Sequence, residues 1–238
     1  MAVFTEEAVR ANIRVRDGKR VFYLDDRDHL TPSGRQWLQR ERIEILPASM
    51  AKPETYTTLS GGSWTEKPEH MTHLHGNVLV PKDHPRIQFR GMLDLLEAEI
   101  LICAKTAAGE RHTRLTVHLE EMLAFVRHLM RCDVLEEKLG EFSLCGLSAS
   151  ELRMQSHFPQ RYYDVPHFMP SITDSQTMLQ LNRLRTVVRQ TELAAYRAFR
   201  DQEGLVTNPD FMKAMNRLSS LVWIFMIRLK KEEMSHGS

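Results

Sequence analysis

The stretch FMKAMNRLSSLVWIFMIRL, Phe211 to Leu229, decides the fold. Its apolar residues Phe211, Met215, Leu218, Val222, Phe225 and Leu229 alternate in steps of four and three, the seam spacing of a helix packed in a bundle. The spacing predicts a helix from about Asn208 to Lys230. Working backwards, Met178, Leu181, Leu184, Val188, Ala195 and Phe199 form a second stripe within a helix from Thr173 to Arg200. Leu115, Leu119, Met122, Val126 and Leu129 form a third, and Phe89, Leu93, Leu96, Ile100 and Cys103 a fourth, on a helix that starts near Ile87. Between them, Ser148 with Glu151 three residues later caps a short helix from Ala149 to His157. A bundle of about five helices buries all four stripes.

Towards the N-terminus the pattern breaks up. Thr5 before Glu6 and Glu7 starts a short helix reaching Arg14. Arg20 to Leu24 reads as a strand, Asp25 to Asp28 as a turn, Thr31-Pro32 as the start of a helix ending at Arg40, and Ile43 to Leu46 as the next strand. This βαβ-like piece leads into a Pro-, Thr-, Ser- and Gly-rich loop from Pro47 to Pro68. A long ordered loop is usually functional. The composition shift divides the chain into a small α/β segment with an ordered loop, residues 1–75, and a helical-bundle domain, residues 76–238. The fold class is therefore mainly α.

With 238 residues, 32 Lys+Arg against 31 Asp+Glu and a net charge of +1, the chain has no global field to draw it onto nucleic acid or an anionic membrane. Any anion it binds must be held locally. No apolar run approaches the ~20 residues of a membrane span, and MAVFTEEAVRANIR lacks the apolar core of a signal peptide, so a cytoplasmic protein is expected. Cys103, Cys132 and Cys145 form no CxxC pair and read as reduced thiols packed as small apolar groups. The P-loop, dinucleotide-binding and serine-hydrolase motifs are absent from the sequence.

Polar residues beside the stripes carry the functional signal. Arg185, Arg189 and Glu192 fall at i, i+4 and i+7, projecting two guanidiniums and a carboxylate along one face. Such a face can grip a polyphosphate, with the carboxylate holding Mg²⁺ or orienting an arginine. The same spacing fits a solvated face with an ion pair. Asn216, Ser219, Ser220 and Trp223 make a comparable strip on the last helix, and Asp94 and Glu97 flank the stripe of the first. His70, His73, His75 and His84 match no standard metal motif and read as solvated loop histidines, so no transition-metal site is expected.

Three segments together resemble the ATP:corrinoid adenosyltransferases of the ethanolamine-utilisation type, relatives of the propanediol-utilisation type. DHPRIQFRGMLDLLEAE, Asp83 to Glu99, resembles the opening of that superfamily's first bundle helix. LRTVVRQTE, Leu184 to Glu192, resembles the R-x-x-x-R-x-x-E segment of the propanediol-utilisation branch, and MNRLSS, Met215 to Ser220, that branch's N-R-L-S-D. LTPSGRQWL at Leu30, KPEHMTHL at Lys67 and HFPQRYYDVPHFMP at His157 resemble the ethanolamine branch in particular.

The resemblance implies attack of Co(I) of cobalamin on the 5′ carbon of ATP, giving adenosylcobalamin and triphosphate. It places Arg189 on the phosphates, pairs Arg185 with Asp94, assigns Glu192 and Asn216 to the ATP and Mg²⁺ pocket, and offers Lys67 and Thr72 as further phosphate contacts. An apolar side chain pressed under the corrin keeps cobalt four-coordinate. The family position of that aromatic is His167, with Phe168 next to it, and Phe168 is the better wedge because a histidine would ligate the cobalt. The family's T-G-D-x-G-x-T loop is absent, the aspartate of N-R-L-S-D is Ser220, and no cysteine precedes Cys103, so the metal carried by some relatives is not expected. The resemblance further implies a reductase partner and a homo-oligomer, a trimer favoured over a dimer with ATP where subunits meet. It leaves open association with a bacterial microcompartment, or a non-catalytic corrinoid-binding or docking protein that keeps only the fold.

Overall fold

The computed structural model describes residues 2–16, 19–51 and 55–236, so residues 52–54 of the expected loop lie outside the described residues. The elements run β1 (Val3–Phe4), α1 (Glu6–Ala11), β2 (Arg14–Arg16), β3 (Lys19–Leu24), β4 (His29–Leu30), α2 (Pro32–Arg40), β5 (Glu44–Pro47) and a 3₁₀ turn at Ala48–Met50. They continue with β6 (Tyr56–Thr58), β7 (Ser63–Trp64), β8 (Met71–His75), β9 (Val78–Pro81), α3 (Pro85–Gly109), α4 (Thr113–Leu135), β10 (Ser143–Leu144), β11 (Leu147–Ser148), α5 (Ala149–His157), α6 (Pro159–Tyr163), α7 (Gln176–Ala198) and α8 (Pro209–His236). The protein is mainly helical with small sheets, as the seams require. None of the described helices is long and apolar enough to cross a membrane.

The chain forms two compact units, Met1–Tyr56 with Ser63–Glu66, and Thr57–Gly62 with Lys67–Ser238. The composition shift at residue 75 falls inside the second unit, at the end of β8. In the first unit, β3 and β5 are parallel in the register Val21 to Glu44 through Leu24 to Pro47, with α2 as the crossover, and β2 adds antiparallel to β3. Thr31 caps α2 by accepting the Gly34 N–H at 3.2 Å, and Pro32 occupies the first turn, where no N–H is needed. Its core is Val9, Phe22, Leu38 and Ile43, with Phe4 edge-on to Phe22 at 5.4 Å. Gly34 lets helix and strand meet, because a Cβ there would lie 3.2 Å from the Phe4 carbonyl and 3.3 Å from Val9.

In the second unit all four seams are buried together. Phe89, Leu93, Leu96 and Ile100 of α3 meet Leu181, Leu184 and Val188 of α7, and Phe211, Leu218, Val222 and Phe225 of α8 close the core. Each fully buried Leu or Phe contributes about 1.5–3 kcal/mol. Phe89, Phe199 and Phe211 cluster with ring centroids 4.9–6.1 Å apart where α3, α7 and α8 converge. α5 packs on α8, started by the reciprocal Ser148 and Glu151 capping box. Cys103 is buried, and burial followed by the Glu99 charge pushes its thiol up to about 12, an inert packing group.

Sequence periodicity gave no warning of the β8–β9 hairpin, which pairs Met71 with Pro81, Thr72 with Val80 and His73 with Leu79 before a bulge ahead of His75. It is tied to the bundle by arginines. Arg90 donates from Nη2 to the Leu74 carbonyl at 2.7 Å and from Nε to the fully buried Asp133 carboxylate at 2.5 Å, and Arg86 Nε reaches the same carboxylate at 3.0 Å. The buried carboxylate is thereby matched, and Arg86 also pairs with Glu136 at 3.1 Å, so the two guanidiniums meet two carboxylates.

Candidate active site

The polar face of α7 and the strip of α8 lie side by side. Glu192 accepts the Asn216 side-chain N–H at 3.1 Å, and the Asn216 carbonyl oxygen accepts from Arg217 Nη2 at 2.6 Å. A cavity of about 340 Å³ opens beside them, lined by His157, His167, Phe168, Arg185, Asn216 and Trp223 among others. The structure therefore brings Arg185, Asn216, His167 and Phe168 around one space, with Glu192 on Asn216 and Arg189 one turn beyond Arg185.

Charge in this corner is kept available. Arg185 is half-buried and donates to the Asn182 carbonyl oxygen at 3.0 Å, while its Nε is buried without a partner. Burial, then the neighbouring Arg189 charge, lowers its pKa from the usual range, although a guanidinium stays charged at neutral pH. Among the described residues neither Arg185 nor Arg189 has a carboxylate partner, so both can turn to an anion.

The apolar wall is held by a strap between α6 and α7. Phe168 stacks on Trp223 with centroids 5.1 Å apart and planes 28° apart, and His167 leans on the same ring at 5.3 Å. Phe168 is half-buried and His167 exposed. Lys230 Nζ lies 5.7 Å from the Phe168 ring centroid and donates to Asp174 at 2.8 Å. Asp174 accepts the Ser171 N–H at 2.6 Å, and Ser175, the α7 cap, donates to Glu233 at 2.7 Å. Lys230 and Glu233 of α8 thus fix the strap that presents Phe168.

Sequence reading missed Trp223 as the platform and missed Arg217, Asn182 and Lys230 altogether. The one available signal was that Asn216, Trp223 and Lys230 repeat at seven-residue intervals on one face of α8.

The expected pairing of Arg185 with Asp94 does not form within the chain. α3 meets α7 through Glu99, which accepts from Arg183 at 2.7 Å, and through the Met92 carbonyl, which accepts from Thr191. Arg185 is two residues from Arg183, about 200° around the helix, and so faces α8. Asp94 lies exposed on α3, away from its buried stripe. Lys67 and Thr72 also stand apart from the cavity: Lys67 Nζ contacts the Met71 carbonyl at 3.4 Å, and Thr72 is paired in the hairpin.

The histidine tract disperses. His84 caps α3 by accepting the Arg86 N–H at 3.2 Å, with its pKa lowered by burial and then by Arg86 and Arg90, and His75 lies 3.8 Å from Glu136. Among the described residues, no three His, Cys, Asp or Glu side chains converge as a metal centre.

Comparison with known proteins adds an independent line. A family model for cobalamin adenosyltransferase matches residues 64–229, which include every lining residue named above. Corrinoid adenosyltransferase EutT of Salmonella typhimurium is 31% identical over 246 aligned residues, covering 94% of this chain and 90% of the relative. EutT of Escherichia coli matches at the same identity and coverage.

Proposed function

Since the chain belongs to the cobalamin adenosyltransferase family and is a corrinoid adenosyltransferase of the EutT kind, we propose that it transfers the 5′-deoxyadenosyl group of ATP to Co(I) of cobalamin in support of ethanolamine utilisation. The cobalt electron pair forms the Co–C5′ bond, the C5′–O bond breaks, and triphosphate leaves with that bonding pair. The observation that carries this reading is the unneutralised Arg185 and Arg189 pair beside a cavity walled by Phe168 and Trp223. One end suits a polyphosphate and the other a flat apolar macrocycle.

In this reading Arg189 donates to the leaving triphosphate, and Arg185 lines the boundary between nucleotide and corrin. Glu192 has one carboxylate oxygen engaged by Asn216, which leaves the other to hold Mg²⁺ together with phosphate oxygens. The ion would neutralise charge on the leaving group. Phe168, flat on Trp223, excludes a lower ligand from cobalt and so favours Co(I). Lys67 and Thr72 reach phosphate from the hairpin segment of another subunit, and Asp94 meets Arg185 across the same boundary. Exposure of Leu95, Ala98 and Ile102 beside Asp94 supports self-association, with a trimer favoured. A reductase supplies the electron in the cytoplasm, and microcompartment docking is an extension of this role.

The test is anaerobic. Protein, MgATP and cob(I)alamin are mixed, and loss of Co(I) absorption with formation of light-sensitive product is followed with and without a transition-metal chelator, Mg²⁺ in excess. Product in both cases is expected. Replacing Arg189 with Ala should lower turnover about 10²–10³-fold, the cost of removing one charged donor from developing negative charge. Unchanged turnover in R189A overturns the assignment of Arg189, and no product from the unaltered protein overturns the reaction.

A further inference from the structure

A second, larger cavity of about 490 Å³ is walled by the first turns of α4, by α6 and by the C-terminal half of α8. Arg114, Arg228 and Lys231 line it against a single carboxylate, Glu232. Several other cations of this unit are matched: Arg127 to Glu97, Arg183 to Glu99, Lys230 to Asp174, and Arg86 and Arg90 to Asp133. Among the described residues Arg114, Arg228 and Lys231 have no carboxylate within ion-pair distance, and Glu232 lies 4.0 Å from His112.

Arg228 is the most telling of the three. Its guanidinium lies over the Tyr163 ring at 5.6 Å and its Nη2 is 3.4 Å from the Tyr163 hydroxyl, but Nη1 is buried with no acceptor. A buried charged donor left unmade is costly, and a ligand oxygen in the cavity would satisfy it. Another part of the lining is a flat aromatic face, where the His118 ring lies parallel to Phe225, 10° between planes and 5.7 Å between centroids. Burial, then the Arg228 and Arg114 charges, lowers the His118 pKa and favours its neutral form.

We propose that this cavity is a second anion site that binds an organic phosphate, its phosphoryl oxygens among Arg114, Arg228 and Lys231 and its apolar part against the His118 and Phe225 face. The volume falls within the ~300–1,000 Å³ of small-molecule sites. Two sources share this chemistry: the phosphate-bearing arm of the corrinoid substrate, and a free organic phosphate. Because α6 carries Tyr163 into this cavity and the strap that follows it carries Phe168 into the other, occupancy here bears on the loop that forms the corrin wall.

Calorimetric titration of the full chain with AMP and with inorganic phosphate tests the site, comparing the unaltered protein with Arg114→Gln, Arg228→Gln and Arg189→Ala. A parallel spectroscopic titration compares cobalamin with cobinamide, which lacks the phosphate-bearing arm. Arg114 is exposed on a helix surface, so R114Q keeps the test open if R228Q fails to fold. Weakening of AMP by about tenfold or more in R114Q and R228Q, with R189A unaffected, is expected if a free organic phosphate is the ligand. Selective weakening of cobalamin over cobinamide in the same two variants assigns the site to the substrate's own arm, an outcome that rests on the corrinoid reading. If neither AMP nor cobalamin loses affinity in R114Q and R228Q, or only R189A loses it, the second site is overturned. Turnover does not enter these readouts, so failure here is distinguishable from failure of the proposed reaction.

Discussion

Phe168 and His167 share one tryptophan, and only one of them can do the work assigned to an apolar wedge. Phe168 is half-buried, with its ring stacked on Trp223 and the Lys230 ammonium 5.7 Å from its centroid, whereas His167 is exposed and leans on Trp223. An imidazole under cobalt would supply the axial nitrogen that opposes reduction, so the buried ring is the chemically suited one. Phe168→Ala should lower kcat by about 10–100-fold, roughly 1.4–2.7 kcal/mol, with ATP affinity unchanged. His167→Ala should stay within about threefold of the unaltered rate. Anaerobic turnover checks both, and the cob(II)alamin spectrum of the Phe168 variant should show a retained lower ligand. The reverse ranking would move the wedge to His167. At this scale the sequence supplied Phe168 as a candidate but not its supports, since Trp223 and Lys230 are 55 and 62 residues further along the chain.

The strap and the β8–β9 hairpin are elements whose position depends on a few ionic contacts. The Lys230 hydrogen bond, followed by the Ser171 N–H, holds the Asp174 carboxyl below the usual carboxylate range. A folded-state pKa below the unfolded one contributes stability above the unfolded value, near 3.9, and that stability is lost as pH falls through the folded value. Asp174→Asn should therefore cost about 1–2 kcal/mol at pH 7, and the cost should shrink steadily as pH falls below about 3.9. Thermal melts of both proteins across that range measure the difference, and a constant gap would show that the carboxylate charge is irrelevant. On α4, Asp133→Asn leaves Arg86 and Arg90, the anchors of the hairpin, facing a neutral amide in a buried place and should destabilise by about 3–5 kcal/mol in denaturant titration. Helical seams were legible because a period of 3.6 is written within each element. The hairpin was not, because its strands are four or five residues long, crowded with histidines, and held by a carboxylate more than forty residues away. The Arg185, Arg189 and Glu192 face was legible for the same local reason, whereas the side of α7 facing α3 was settled by Arg183 and Glu99, 84 residues apart.

At the scale of the whole molecule, one chain leaves its own groups incomplete in a complementary way. Arg185 has a buried Nε without an acceptor, Asp94 stands exposed on α3, and Leu95, Ala98, Leu101 and Ile102 extend an apolar strip beside it. Helix geometry turns Arg185 from α3 of its own chain, and in the proposed function a second copy supplies the aspartate. In a closed homo-oligomer each interface would then take Asp94 from one subunit and Arg185 from the next. Asp94→Ala and Arg185→Ala should each lose most turnover. Mixing the two inactive variants under conditions of subunit exchange should restore about a quarter of the unaltered rate, because about one interface in four then combines intact Asp94 with intact Arg185. Pairing within a single chain predicts no recovery at any mixing ratio. Sedimentation of the same samples guards the interpretation: Leu95→Glu with Ile102→Glu should give monomers, whereas Asp94→Ala, which removes one rim charge, should leave the assembly intact.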